Sequence, residues 1–145
     1  FNSTVCVRKG KLYDELGKPQ QALDIGYDEA IRLDPENITA WFNKCNTLNF
    51  LERYDEAIAC SDEAIRLDPE FFGGWHGKSK ALTLLGRYEE AIVHYKKIIL
   101  LAPEFLPAWS DLGSVLEKVG RYSDAQQCFT KVKESGNIIF ESRFR

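Results

Sequence analysis

The chain has 145 residues, 44% of them hydrophobic and 28% charged, which is enough apolar material for a buried core and too much for a disordered segment. A formal charge of −3 gives no global support to the counterion release that drives non-specific nucleic-acid binding, so no nucleic-acid partner is expected. No run nears the roughly 20 apolar residues of a spanning helix and no basic-then-apolar leader opens the sequence, so no membrane association is expected either.

Prolines recur at Pro35, Pro69 and Pro103 and tryptophans at Trp41, Trp75 and Trp109, each 34 apart. Arg53-Tyr54, Arg87-Tyr88 and Arg121-Tyr122 keep the same interval, as do Ala57, Ala91 and Ala125. A fixed period of this size marks a repeat architecture. It predicts a single domain over 1–136, divided into units at about 3–36, 37–70, 71–104 and 105–136, with a remainder at 137–145. The opening at Phe1 and the lack of any Met predict a fragment or processed segment.

In chain order, unit one has a first helix carrying Cys6, Gly10 and Tyr13, a turn at Gly17, and a second helix from about Ala22 to the Asp34-Pro35 stop. Ala22 to Ala30 is 8 residues where Ala57 to Ala64 is 7, so the extra residue predicts a bulge or over-wound turn near Gly26. Unit two carries the helical stripes Trp41, Cys45, Leu48 and Ala57, Ile58, Ala64, Ile65, with Glu52 where other units have a turn glycine, and stops at Asp68-Pro69. Units three and four repeat the plan around Trp75, Ser79, Gly86 and Ala91, then Trp109, Gly113, Gly120 and Ala125. The remainder from Asn137 begins apolar. It predicts a capping helix, the start of a further repeat, or an end-to-end contact between copies.

Each helix is about 13 residues, too short to stand alone in water. Stability must come from pairing, with Gly10, Cys45, Ser79 and Gly113 providing close approach to Ala22, Ala57, Ala91 and Ala125. The three tryptophans are expected in the core, each removing about 150–250 Å² from water, roughly 4–6 kcal/mol of gross transfer energy.

The order Trp, small residue, Tyr or Leu, Gly-x-Tyr, Ala, aromatic and Pro within 34 residues resembles the tetratricopeptide repeat family. Unit one is the poorest match, with Cys6 at the tryptophan position, and Lys9, Lys44 and Lys78 stand where the family usually has leucine. The aliphatic stems of these lysines can cover apolar surface while the ammonium reaches water. The resemblance implies an all-α fold, a right-handed superhelical solenoid of about four antiparallel helix pairs whose concave side is lined by the first helices. It further implies a non-enzymatic interaction scaffold that holds a peptide segment of a partner protein in that groove. A module forming homo-oligomers through the groove or its ends is the alternative.

On that plan the residues facing the groove are Val7, Arg8, Lys11 and Asp14, then Phe42, Asn43, Asn46, Asn49 and Phe50. His76, Gly77, Lys80 and Leu84 follow in unit three, and Ser110, Asp111, Ser114 and Glu117 in unit four. The peptide-binding set is Arg8, Lys11, Phe42, Asn43, Asn46, His76, Lys80, Ser110, Asp111 and Ser114. Asparagine can bridge the N–H and C=O of an extended peptide, whereas Phe42 and Phe50 either touch a ligand or pack on a neighbouring unit. Some family members clamp a partner's C-terminal carboxylate. The corresponding positions here are Val7, Lys11, Asn43, Gly73 and Gly77, of which only Asn43 keeps the clamp residue. The asparagine ladder of another branch maps to Arg8, Asn43, Gly77 and Asp111 and is also absent.

Cys6, Cys45, Cys60 and Cys128 form no CxxC pair, and His76 and His94 are not at ligand spacing, so neither metal nor cofactor is expected. The cysteines read as reduced apolar residues of a cytoplasmic protein. No phosphate loop, nucleophile elbow or carboxylate pair suggests catalysis.

Overall fold

A computed structural model describes residues 2–143, with side chains through 136. Among the described residues the chain forms eight helices and no strand. Helix α1 spans Ser3–Glu15. Helix α2 begins over Pro19–Gln21, passes through a widened segment at Ala22–Tyr27 and resumes over Asp28–Leu33. Then follow α3 (Ile38–Phe50), α4 (Tyr54–Leu67), α5 (Phe72–Leu84), α6 (Tyr88–Leu101), α7 (Leu106–Lys118) and α8 (Tyr122–Arg143). The backbone of α8 runs past 136 without a break, so the described part of the remainder continues this helix.

Backbone chemistry sets the boundaries. The turns within the pairs have positive φ at Gly17, Glu52, Gly86 and Gly120. At each, two N–H groups close the last carbonyls of the preceding helix, as where Lys18 N–H donates to Tyr13 O at 2.8 Å and Arg53 N–H to Leu48 O at 2.9 Å. The second helices of units one to three end at extended Asp34 and Asp68 and at Ala102, each followed by proline. Asn2 and Asn37 cap α1 and α3 by accepting from Val5 N–H and Ala40 N–H, whereas Phe71 and Phe105 stand at the equivalent starts of α5 and α7 without a capping side chain.

The extra residue of unit one is absorbed by the widened segment of α2, where Asp28 N–H donates to Leu23 O, five residues back. The turn is therefore under-wound, the bulge alternative rather than the over-wound one. It places Tyr27 where Tyr95 and Phe129 stand in later units and lays Gly26 against Gly10, so closely that a Cβ on Gly26 would overlap the Gly10 backbone.

Close approach within pairs is set differently from the expectation. The space at Gly10 and Gly113 is taken by the rings of Tyr27 and Phe129, not by the alanines. Unit two inverts the sizes: Ser61 replaces the aromatic, and Cys45 fills the gap with its Sγ 2.8 Å from Ser61 Oγ. The tryptophans are half-buried at the edge of the core rather than inside it. Each indole N–H donates to a linker carbonyl six residues earlier, Trp41 to Pro35 at 2.8 Å and Trp75 and Trp109 to Pro69 and Pro103 at 2.9 Å, which ties the two 34-residue spacings together.

Each pair packs on the next. The second helix of one unit lies against the first helix of the following unit, and α1 packs on α3 and α3 on α5. The stack is an all-α helical solenoid whose first helices occupy its tighter side.

Candidate functional site

The first helices α1, α3, α5 and α7 carry all ten residues of the expected peptide-binding set. Arg8, Lys11, Asn46, Lys80 and Ser114 are exposed, and Phe42, Asn43, His76, Ser110 and Asp111 are half-buried. Several of the half-buried groups are already engaged. Asn43 Nδ2 donates to Thr39 O of its own helix at 2.8 Å. His76 Nε2 lies 3.1 Å from Asp111 Oδ2, linking α5 to α7. The Phe42 ring meets Phe71 edge-on at 5.3 Å, a packing contact with the next unit. Phe50, in contrast, is 77% exposed.

Three groove expectations are overturned. Val7 is buried in the core. Gly77 is buried against Cys45 Sγ and Ser61 Oγ and lets α5 approach α3 and α4. Asn49 donates from Nδ2 to Gly77 O at 3.1 Å and so bridges α3 and α5 instead of facing a ligand, with its Oδ1 buried and unpartnered. Asp14 is likewise a tie between helices, its Oδ2 accepting from Tyr27 OH at 2.6 Å and Thr47 Oγ1 at 2.9 Å. Burial and the neighbouring Asp14 carboxylate hold the Tyr27 phenol well above its usual range.

A cleft of about 250 Å³ opens between the C-terminal ends of α1 and α3, lined by Asp14, Gly17, Pro19, Asn46, Thr47 and Phe50. It joins an exposed amide to an exposed aromatic ring. A second feature escaped the sequence reading: Phe42, Phe71, Phe72, Phe105 and His76 form a continuous run of ring contacts from α3 to α7, with centroids 4.9–6.4 Å apart. The signal available was the recurrence of phenylalanine at Phe71 and Phe105, 34 apart.

Among the described residues no set of three or more His, Cys, Asp or Glu is placed to hold a metal ion. The four cysteines are free and buried, and burial pushes the thiols of Cys45 and Cys60 up to about 11, which suppresses nucleophilic thiolate. No described helix is long and apolar enough to cross a membrane.

The comparisons with known proteins agree with this architecture. The chain is similar in fold to the crystal structure of MamA, with a TM-score of 0.89 and 22% identity over 97% of this chain and 81% of that one. It is also similar to MamA 41-end from Desulfovibrio magneticus RS-1, with a TM-score of 0.86 and 21% identity over 94% and 76% of the two chains. A third likeness is to the first TPR of Spaghetti (RPAP3) bound to the HSP90 peptide SRMEEVD, with a TM-score of 0.79 and 23% identity over 82% of this chain and 96% of that one. No curated protein sequence matches the chain. Family models described as tetratricopeptide repeat match residues 3–37 and 38–71 in one case and 82–137 in the other. With these matches covering most of the chain, it belongs to the tetratricopeptide repeat family.

Proposed function

We propose that this chain is a non-enzymatic interaction scaffold that holds a peptide segment of another protein along the surface of its first helices. The observation that carries the reading is the row of exposed polar side chains on four successive first helices, Arg8 and Lys11, Asn46, Lys80 and Ser114, with exposed Phe50 beside the cleft. Long cationic groups and an amide can grip an extended backbone or its carboxylates, while the phenyl ring offers apolar contact. Phe42, Asn43, His76, Ser110 and Asp111 form the half-buried floor of this site. A peptide-bound fold neighbour supports the reading in kind. Its ligand class is not carried over, since Gly73 and Gly77 stand where a carboxylate clamp needs charge. The four buried free thiols fit a reducing, cytoplasmic setting.

Peptides selected from a random display library on the immobilised chain should lose about tenfold in affinity or more for the Asn46→Ala/Lys80→Glu variant, with an unchanged urea midpoint. Equal binding to both proteins would move the site off this surface. Self-assembly through the same surface is the competing reading, and a monomeric light-scattering mass at high concentration counts against it.

A further inference from the structure

Every first helix carries a side chain at the register of Asp14, three residues before the positive-φ turn, and the four are not alike. The counterparts of Asp14 are Asn49, Thr83 and Glu117. Asn49 reaches Gly77 O with its amide, Thr83 Oγ1 lies 3.5 Å from Tyr95 OH, and Glu117 is exposed. Tyr95 holds in unit three the seat that Tyr27 holds in unit one, so a neutral hydroxyl suffices there as neighbour to the phenol. Packing at this register asks for no charge. Asp14 is therefore a half-buried carboxylate beyond what the repeat needs.

Its surroundings fix that charge without compensating it. Oδ2 accepts from Tyr27 OH at 2.6 Å and Thr47 Oγ1 at 2.9 Å, both neutral donors, and among the described residues Asp14 forms no ion pair. An anion held in place and half removed from water favours a cation beside it. The cleft it lines adds three features of the same sign. First, α1 ends at Glu15 and α3 at Phe50, so the negative ends of two helix dipoles border the opening. Second, the Phe50 ring, 77% exposed, offers a π-face that attracts cations. Third, the exposed Asn46 amide supplies a carbonyl acceptor. At about 250 Å³ the cleft is below the range of small-molecule sites, roughly 300–1,000 Å³, and suits one side chain.

We propose that this cleft is a specificity pocket for an arginine side chain of the segment bound along the first helices, an inference that rests on the scaffold reading above. The guanidinium donates to Asp14 Oδ1, the oxygen that Tyr27 and Thr47 leave open, and to the Asn46 carbonyl, with its flat face on the Phe50 ring. Lysine meets the charge but has no planar face to stack and no rigid fork of donors, so arginine is preferred.

The probe is a display library of random decapeptides panned on the immobilised chain. Peptides taken by the parent should be enriched in arginine over the input at one position of their common register. Asp14→Asn keeps an acceptor for Tyr27 and Thr47, and Phe50→Lys introduces the residue that α7 carries at this register as Lys118. Each variant should return a pool without that enrichment. In a parent-selected peptide, citrulline in place of the arginine keeps the shape and removes the charge. It should weaken binding to the parent about tenfold and leave binding to Asp14→Asn almost unchanged, whereas a purely structural role for Asp14 would preserve the citrulline effect in the variant. Where Asp14→Asn lowers the urea midpoint, Phe50→Lys decides, because the Phe50 side chain is exposed. Selected peptides without arginine enrichment, or enrichment that persists in Phe50→Lys, overturn the pocket and leave the scaffold reading standing. Recovery of no peptide above background removes the scaffold reading and the pocket with it.

Discussion

Glu52 has φ of 60° in a turn where the other three units place Gly17, Gly86 and Gly120 at 70°, 78° and 81°. A side chain in this left-handed region strains against its own backbone, by about 1–2 kcal/mol, whereas glycine is free of the clash. Glu52→Gly should therefore raise the unfolding free energy by about 0.5–1.5 kcal/mol. In urea the midpoint would move up at constant m-value, and a drop would mean that the Glu52 side chain contributes more than its backbone loses. This position was legible in the sequence because turn closure is local, reported by spacing alone. The fates of Val7 and Asn49 were not, since they depend on how far one helix rotates on its neighbours: one is buried in the core, the other bonded to Gly77 O. Asn43 kept its expected place on the first helices, yet its amide is engaged by Thr39 O, an interaction that helical spacing leaves open.

At the scale of an element, α2 shows how an insertion is accommodated without loss of the repeat. The count of residues between alanines revealed the extra residue, and the widened segment Ala22–Tyr27 contains it. What spacing could not reveal is the compensation, in which Gly26 meets the Gly10 backbone and Tyr27 fills the space over Gly10. Deleting Asp24 restores between Ala22 and Tyr27 the spacing found from Ala91 to Tyr95 and from Ala125 to Phe129. The shortened chain should remain folded, with stability within about 1.5 kcal/mol of the parent, because the aromatic keeps its seat and a regular helix replaces the bulge. Deleting Ala59 from the regular helix α4 is the contrasting case, where every side chain beyond the deletion rotates off its face and a loss above about 4 kcal/mol is expected. Equal damage from the two deletions, read by urea unfolding and far-ultraviolet circular dichroism, would show that the bulge is required rather than tolerated.

The whole molecule is held together by junctions between neighbours, and its buried side chains fall into two clusters, one spanning α1 to α4 with Ala81 of α5 and the other α5 to α8. Ile58 packs against both, so the halves are coupled through the second junction. That junction is unusually tight because α5 presents Gly73, Gly74 and Gly77 to it, and a Cβ on Gly77 would sit 2.5 Å from Cys45 Sγ and 3.2 Å from Ser61 Oγ. In a stack where each unit touches only its neighbours, cooperativity is the sum of such interfaces and fails first at the weakest. Gly77→Val forces α5 away from α3 and α4 and also removes the close seat of Asn49 on Gly77 O, while each cluster keeps most of its own contacts. The single urea transition of the parent should then separate into two of smaller m-value, one for each half, since each exposes only part of the surface. Gly136→Ala, at a glycine with nothing within 4 Å, should leave one transition. A lone transition of undiminished m-value in Gly77→Val would mean that the halves remain coupled through contacts other than the glycine face.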